Sequence, residues 1–136
     1  MINSIQETTE ISPLSERKQA ATSFLEMVAA GKIREAYERF ISPRFIHHNQ
    51  YFKGDRASLM EAMESAGRKN PGKSIQVMKV LEEDDTVVTL SHVRQHAEDT
   101  GAAVVHIFRF EESQVAELWD LGQPIAKDLI NENGVF

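Results

Sequence analysis

The period of the apolar residues changes once along this chain, near Ser74, and this change limits the folds that the chain can adopt. Before Ser74 the apolar residues recur every three or four positions. After it they alternate with polar residues and are rich in β-branched types. The first pattern predicts amphipathic helices, and the second predicts strands. We therefore expect an α+β fold in which helices come first and a sheet follows.

The first part of the chain predicts a helical hairpin. Ser12-Pro13 reads as an N-cap followed by proline at the first helical position, and the helix continues to Gly31. A short second helix begins at Ile33 and stops at Ser42-Pro43, because proline disfavours a helical residue before it.

The next segment predicts a strand or loop and then a third helix. Residues 44–49 are too short for a helix, so we expect a brief strand or an extended loop there. Asp55 caps the third helix, and Gly67 with the turn of residues 70–72 closes it.

The chain after Ser74 predicts an antiparallel meander of four strands. Its β-branched runs are residues 75–80, 86–90 and 104–108, and the last strand ends near Gly122. The connections between the strands are short, which suits hairpins and excludes parallel crossovers. We expect the three helices to pack on this curved antiparallel sheet.

The composition is that of a single globular domain. The chain has 136 residues, no cysteine and a formal net charge of −6. We expect one domain over residues 1–136, with a core at about 12–124 and loosely held ends. The lack of cysteine excludes disulfides and thiol catalysis, and the negative charge disfavours nucleic acid as a partner.

Membrane and nucleotide partners are also disfavoured. No apolar run approaches the roughly 20 residues of a membrane span, and the N-terminal residues lack a basic flank with an apolar stretch. The glycines do not form a phosphate-binding loop. We therefore expect a cytoplasmic protein with no membrane contact and no cofactor.

The last hairpin, residues 104–122, predicts its own register. A three-residue loop at 112–114 places unlike charges opposite each other on one face and apolar residues opposite each other on both faces. A slip by one residue loses every match. The predicted pairs are Arg109 with Glu117, Ile107 with Trp119, His106 with Asp120 and Phe108 with Leu118.

His106 and Asp120 are the candidate catalytic residues. In the predicted register their Cβ atoms lie about 5 Å apart on one face of the sheet. A carboxylate at this place can act as a general base, and the imidazole can orient it or polarise a carbonyl oxygen. The alternative is a buried His–Asp hydrogen bond that only satisfies two polar groups in a packed sheet.

His92 is a further candidate for substrate binding. If the loop of residues 97–101 keeps an even register, His92 lies opposite His106, and three neighbouring strands bring two histidines and Asp120 together. Two histidines and a carboxylate are also a ligand set for non-haem iron or zinc. No metal-ligand motif supports that alternative, so we expect no metal.

Other residues are predicted to form a substrate pocket between helices and sheet. His48 and Asn49 are placed to position a substrate oxygen, or alternatively to satisfy their own backbone. The expected walls of the pocket are Tyr37, Phe40, Met60, Met63, Phe108 and Leu118.

Both faces of the last hairpin are apolar. One face bears Phe108, Phe110 and Leu118, and the other bears Val105, Ile107, Trp119 and Leu121. A sheet that is apolar on both faces needs two covers, and three short helices cover only one. We therefore expect a homodimer through the outer face of the sheet.

Four motifs make the chain similar to a known family. They are FIHHN at 45–49, SHVR at 91–94, VVHIFRF at 104–110 and VAELWDLGQP at 115–124. With the order of the elements, they resemble the SnoaL-like family of polyketide cyclases. That resemblance spans about residues 20–124 and implies the nuclear transport factor 2-like fold, a cone-like α+β barrel of curved sheet closed by helices.

The resemblance also implies a function. It suggests a cofactor-independent intramolecular aldol condensation, in which Asp120 matches the acid/base aspartate of the family and His106 the histidine that assists the enolate. His48 and Asn49 match its His-Asn step, whereas His47 replaces its usual glutamine. Because the fold hosts several chemistries, two hypotheses stand: an acid/base enzyme acting on a small carbonyl compound, and a non-catalytic ligand-binding or dimerisation module.

Overall fold

The structure, a computed structural model, describes residues 15–136. Ser12-Pro13 and the polar start of the chain, for which we predicted a helix cap and a loosely held end, lie outside the described residues. The described helices are α1 (Glu16–Ala29), α2 (Ile33–Phe40) and α3 (Arg56–Lys69). The strands are β1 (Ile41–His47), β2 (Ser74–Glu83), β3 (Thr86–Arg94), β4 (Ala102–Glu111) and β5 (Gln114–Pro124). This order confirms the predicted α+β class.

Polar side chains cap the first turns of α1 and α3. The Ser15 hydroxyl oxygen accepts a hydrogen bond from the Lys18 backbone N–H at 3.1 Å. The Asp55 carboxylate accepts one from the Ser58 N–H, also at 3.1 Å, which confirms the predicted cap of the third helix. Each bond satisfies an N–H that has no partner within its own helix.

The third helix ends at the predicted turn, with its C-cap at Asn70, but the predicted part of Gly67 in closing it is wrong. α3 continues through Gly67 to Lys69. A Cβ atom at Gly67 would lie 3.3 Å from the Ile33 Cδ1 atom, so α2 and α3 approach each other closely at this position. The glycine serves that helix contact rather than a helix end.

The five strands form one open, mixed sheet in the order β1-β5-β4-β3-β2. Strands β2 to β5 form the predicted antiparallel meander. However, β1 runs parallel to β5, so the expectation of a wholly antiparallel sheet is wrong. The long stretch between these two strands, which includes α3, allows the parallel pairing. In the described chain β1 and β2 are the two edges, so the sheet does not close into a barrel.

The turn of the last hairpin differs from the prediction, although the register is as predicted. Glu111 pairs with Gln114, which leaves a two-residue turn instead of a three-residue loop. A bulge then leaves Ala116 unpaired, and this extra residue restores the expected alignment. The pairs beyond the bulge are Arg109 with Glu117, Phe108 with Leu118, Ile107 with Trp119 and His106 with Asp120.

The helices cover one face of the sheet, called the inner face below. Tyr37 is fully buried there, and its ring packs edge-on against Phe24 and Phe45, with centroids 5.5 Å and 6.2 Å away. The opposite face, called the outer face, carries partly exposed or exposed apolar side chains at Val88, Leu90, Val105, Ile107, Trp119 and Leu121. None of the helices in residues 15–136 is long and apolar enough to span a membrane.

The tail after Pro124 contacts the connection between β3 and β4. The Ile125 backbone N–H donates to the Gly101 carbonyl oxygen at 2.9 Å, and the Thr100 hydroxyl donates to the Ile125 carbonyl oxygen at 3.0 Å. The ring of Phe136 lies 5.1 Å from the ring of His92. These contacts hold the tail beside the open end of the meander.

Gly101→Ala is expected to destabilise the fold more than Gly31→Ala. Both glycines have positive φ, +84° and +86°, so alanine is strained at either site by about 1–2 kcal/mol. At Gly101 the new Cβ would also lie 2.4 Å from the Val93 carbonyl oxygen, whereas nothing lies within 4 Å at Gly31. Urea unfolding of both variants measures the difference. Equal losses in the free energy of unfolding would show that the close contact at Gly101 is unimportant.

Candidate active site

A cavity of about 190 Å³ lies between α1, α3 and the inner face of the sheet. Most of the side chains that line it are apolar, among them Phe24, Leu25, Val28, Met63, Val104 and Leu118. Only three lining side chains carry titratable groups: Lys73, His106 and Asp120. An apolar cavity with a few convergent polar groups is the usual form of a small-molecule site.

His106 enters the cavity from β4. It lies opposite Asp120 in the sheet, and its ring stacks on Phe108 with centroids 5.9 Å apart. Burial lowers the pKa of His106 from 6.5 to about 4; the charge of Asp120 opposes this shift, and the charge of Lys73 adds to it. The imidazole is therefore neutral near pH 7. Its buried Nδ1 atom has no hydrogen-bond partner among the described residues.

The Asp120 carboxylate is held by Asn49. The Asn49 side-chain N–H₂ donates to both carboxylate oxygens, at 3.2 Å and 3.1 Å. Asn49 is itself fixed, because its side-chain oxygen accepts from the Tyr51 N–H at 2.9 Å and its own N–H donates to His47 Nδ1 at 3.1 Å. This chain of bonds orients the carboxylate while leaving it in contact with the cavity.

Asp120 also borders a second space. A surface groove of about 680 Å³ runs along the exposed end of β5, past His48 and Asn49. Asp120 and Val104 line both the groove and the cavity. The groove therefore adjoins the cavity at the carboxylate and offers a route by which a small molecule reaches it.

His47, and not His48, lies on the inner face. Residues 44–47 of β1 alternate between exposed and buried, and His47 pairs with the buried Leu118. Burial lowers the pKa of His47, while the charges of Asp120 and Asp55 oppose that shift. The His47 Nε2 atom is buried and has no partner within residues 15–136.

The structure directs the His48 ring away from the cavity. The ring stacks on Trp119, with centroids 4.8 Å apart, and its Nε2 atom lies 2.6 Å from a Glu117 carboxylate oxygen. Trp119 and Glu117 are on the outer side of the sheet, so His48 contacts that side and the groove. Of the predicted His48 and Asn49 pair, only Asn49 contacts Asp120.

The expected position of His92 is wrong. His106 lies opposite Thr89, and His92 lies opposite Ala103. The two strands are shifted by three residues from the even register, and an odd shift moves a side chain to the other face of the sheet. The His92 Nε2 atom instead lies 2.8 Å from the Thr100 carbonyl oxygen.

The alternative ligand set of His92, His106 and Asp120 is consequently not assembled by these strands. Within residues 15–136, no group of three or more histidine, cysteine, aspartate or glutamate side chains is placed to hold a metal ion.

The predicted pocket walls divide between cavity and core. Met63 and Leu118 line the cavity. Tyr37, Met60 and Phe108 are buried in the core instead, because α2 and α3 pack tightly on this part of the sheet. Phe40 is partly exposed at the end of α2, and the Arg39 guanidinium lies 5.4 Å from its ring centroid.

Lys73 is the cavity residue that the sequence reasoning missed. It directly precedes β2, and it shares the inward parity of Ile75, which also lines the cavity. The alternation of side chains along β2 could have placed Lys73 on the inner face. However, residues 70–72 have the composition of a turn, so Lys73 was grouped with the turn instead. Burial in the apolar cavity lowers the pKa of Lys73.

Comparison with known proteins supports the fold. No family model matches the chain, and no curated protein matches it in sequence. Solved structures do match. An NTF2-like protein of unknown function from Cytophaga hutchinsonii is 16% identical with a TM-score of 0.64, over 83% of this chain and 94% of that one.

Two further solved structures carry names from the group that the motifs resemble. A SnoaL-like protein of unknown function from Burkholderia thailandensis is 12% identical with a TM-score of 0.67, over 82% of this chain and 99% of that one. A proposed polyketide cyclase from Acidithiobacillus ferrooxidans is 21% identical with a TM-score of 0.66, over 82% and 91% of the two chains. The chain therefore has the nuclear transport factor 2-like fold, which it shares with solved proteins named SnoaL-like.

Proposed function

We propose that this chain is a cofactor-independent acid/base enzyme that acts on a small carbonyl compound. The observation that carries the proposal is the placement of His106 and Asp120 at opposing positions of β4 and β5, where both line one apolar cavity. The SnoaL-like names of structural neighbours agree with it, and so does the motif resemblance of residues 104–124. The aldol, isomerase and lyase reactions that pass through an enolate of a carbonyl compound share the proton transfer described next.

Asp120 is the general base in this proposal. Its carboxylate removes a proton from the carbon next to the carbonyl group of the substrate and returns one to the product or intermediate. Asn49 holds both carboxylate oxygens, which fixes the direction in which the proton is taken. Orientation of this kind lowers the entropy cost of reaching the reactive geometry.

His106 stabilises the negative charge that develops on the carbonyl oxygen. Because its pKa lies at about 4, the ring is a neutral imidazole at pH 7 and carries one N–H that can donate to this oxygen. In a cavity with mostly apolar walls, such a donor acts more strongly than in bulk solvent. The proton thus moves to Asp120 while the developing enolate is held by His106.

The cavity limits the substrate to a small compound. Its volume of about 190 Å³ corresponds to about six water molecules at about 30 Å³ each. Sites for drug-sized ligands usually span roughly 300–1,000 Å³. A single ring or a short chain fits this space, whereas a fused polycyclic compound does not.

Asp120→Asn is expected to abolish most of the proton transfer. The test measures deuterium incorporation from D₂O into cyclohexanone, acetophenone and 4-oxopentanoate by NMR. We expect the wild-type protein to accelerate exchange beside the carbonyl of at least one compound. The Asn variant should lower that rate by about 10²-fold or more, because the amide has no basic oxygen.

A surface substitution provides the control for that experiment. Asp128→Asn changes the same atoms on an exposed tail residue and should leave the exchange rate unchanged. Equal rates for wild type and Asp120→Asn, with folding intact by circular dichroism, would contradict the enzyme proposal. Binding of the ketones without any exchange would favour a ligand-binding module of the same fold.

We also propose that the chain forms a homodimer through the outer face of the sheet. Leu81 and Leu121 are 64% and 61% exposed on this face, and Ile107 and Trp119 are partly exposed between them. The helices cover only the inner face. A second copy would remove these apolar side chains from water, at about 25 cal/mol for each Å² buried.

Ile107→Lys is expected to dissociate this dimer. Ile107 lies between Val88 and Trp119 at the centre of the outer face, so a charge there would be buried in the interface. Light scattering at micromolar concentration should give twice the chain mass of 15.4 kDa for wild type and the single mass for the variant. Leu129→Lys, on the exposed tail, is the matched control. A monomeric wild-type protein would overturn the dimer proposal.

A further inference from the structure

We infer that Lys73 binds an acid group of the substrate, so that the site takes a small carbonyl compound that also carries a carboxylate. The inference rests on the proposed function for its carbonyl chemistry, and it adds the charge of the substrate. It assigns Lys73 a role in specificity rather than in proton transfer.

Lys73 and Asp120 enter the cavity from opposite sides. Lys73 precedes β2, Asp120 lies on β5, and the order of the sheet places β3 and β4 between them. Through the pairs of Asp120 with His106, His106 with Thr89 and Thr89 with Val80, the β2 residue in line with Asp120 is Val80, so Lys73 also lies several residues further along the sheet. A molecule that fills the cavity can therefore contact the ammonium group at one end and the carboxylate at the other.

The Lys73 ammonium group has no anionic partner in the described part of the chain. No carboxylate of residues 15–136 forms an ion pair with it, Asp120 included, although other cations such as Arg34 and Arg109 are paired. The neighbours that line the cavity near it, such as Ile75 and Val93, are apolar. Lys73 is half-buried, and even partial burial of an unpaired charge is unfavourable, which lowers the pKa of Lys73.

A carboxylate on the ligand would supply the missing partner. It would also set the direction of binding, because Asp120 repels an acid group and Lys73 attracts it. The acid group then lies beside β2, and the carbonyl carbon and its neighbour lie near His106 and Asp120. The opposite charges at the two ends of the cavity thus select one orientation of a compound that carries both a carbonyl and an acid group.

The test compares acids with their neutral esters. The probes are 4-oxopentanoate, benzoate and phenylacetate, each beside its methyl ester, and their binding is measured by NMR titration, which needs no turnover. We expect Lys73→Met to weaken binding of the acid by at least about tenfold and to change binding of the ester by less than about twofold. The control is Lys79→Met, at an exposed lysine within β2, which should change neither.

Several results would overturn the inference. Equal weakening of acid and ester would show that Lys73 contributes packing or assists the carbonyl oxygen, and unchanged acid binding would show that it contributes nothing. The inference is also overturned if the wild-type protein binds none of the three acids more tightly than its methyl ester. The outcome is separable from the proposed function: selective acid binding together with no effect of Asp120→Asn on deuterium exchange refutes the enzyme alone. Loss of deuterium exchange in Asp120→Asn, together with no selective loss of acid binding in Lys73→Met, refutes the role of Lys73 alone.

Discussion

The unpaired residue Ala116 in β5 determines which side chains the last hairpin presents to the helices. A two-residue turn by itself would align Arg109 with Ala116 and shift every later pair by one position. The bulge absorbs that position, so Leu118 and Asp120 face inward beside Phe108 and His106. Because strand side chains alternate between faces, a slip here would place Trp119 inward and Asp120 outward. The core, the cavity and the outer face all depend on this one local feature.

The polar groups of the cavity differ in how they are held. Asp120 is fixed by the Asn49 amide, whereas the buried His106 Nδ1 atom has no hydrogen-bond partner among the described residues, and the half-buried Lys73 forms no ion pair with them. Buried polar groups are normally paired, so an unpaired one such as His106 Nδ1 needs an explanation, and a ligand that supplies the partner is one such explanation. The site therefore combines an oriented carboxylate with two groups that a bound molecule can satisfy. That contrast separates it from a histidine and aspartate that only bond to each other in a packed core.

The sequence predicted those parts of the fold that its side chains specify locally. The His106–Asp120 pairing followed from charge and apolar matches across one hairpin. Asp55, a residue type common at helix N-caps, predicted the start of α3. The register of β3 on β4 did not follow, because the loop that sets it depends on Asp99 bonding to the Gln95 and Gly101 N–H groups. These bonds from backbone N–H groups to the Asp99 carboxylate leave no periodic signal in the sequence, so His92 was assigned to the wrong face. The parallel pairing of β1 with β5 is a long-range contact and leaves no local signal either.

The protonation state of His106 tests the enclosed, apolar character of the site most directly. An NMR titration of the histidine ring nitrogens between pH 8 and pH 3.5 reports the state of each ring. The cavity geometry predicts that His106 stays neutral through the range where an ordinary histidine gains its proton, and that it becomes charged only near pH 4. A titration midpoint at the ordinary value of about 6.5 would place the ring in bulk water and contradict the assignment of this cavity as the active site.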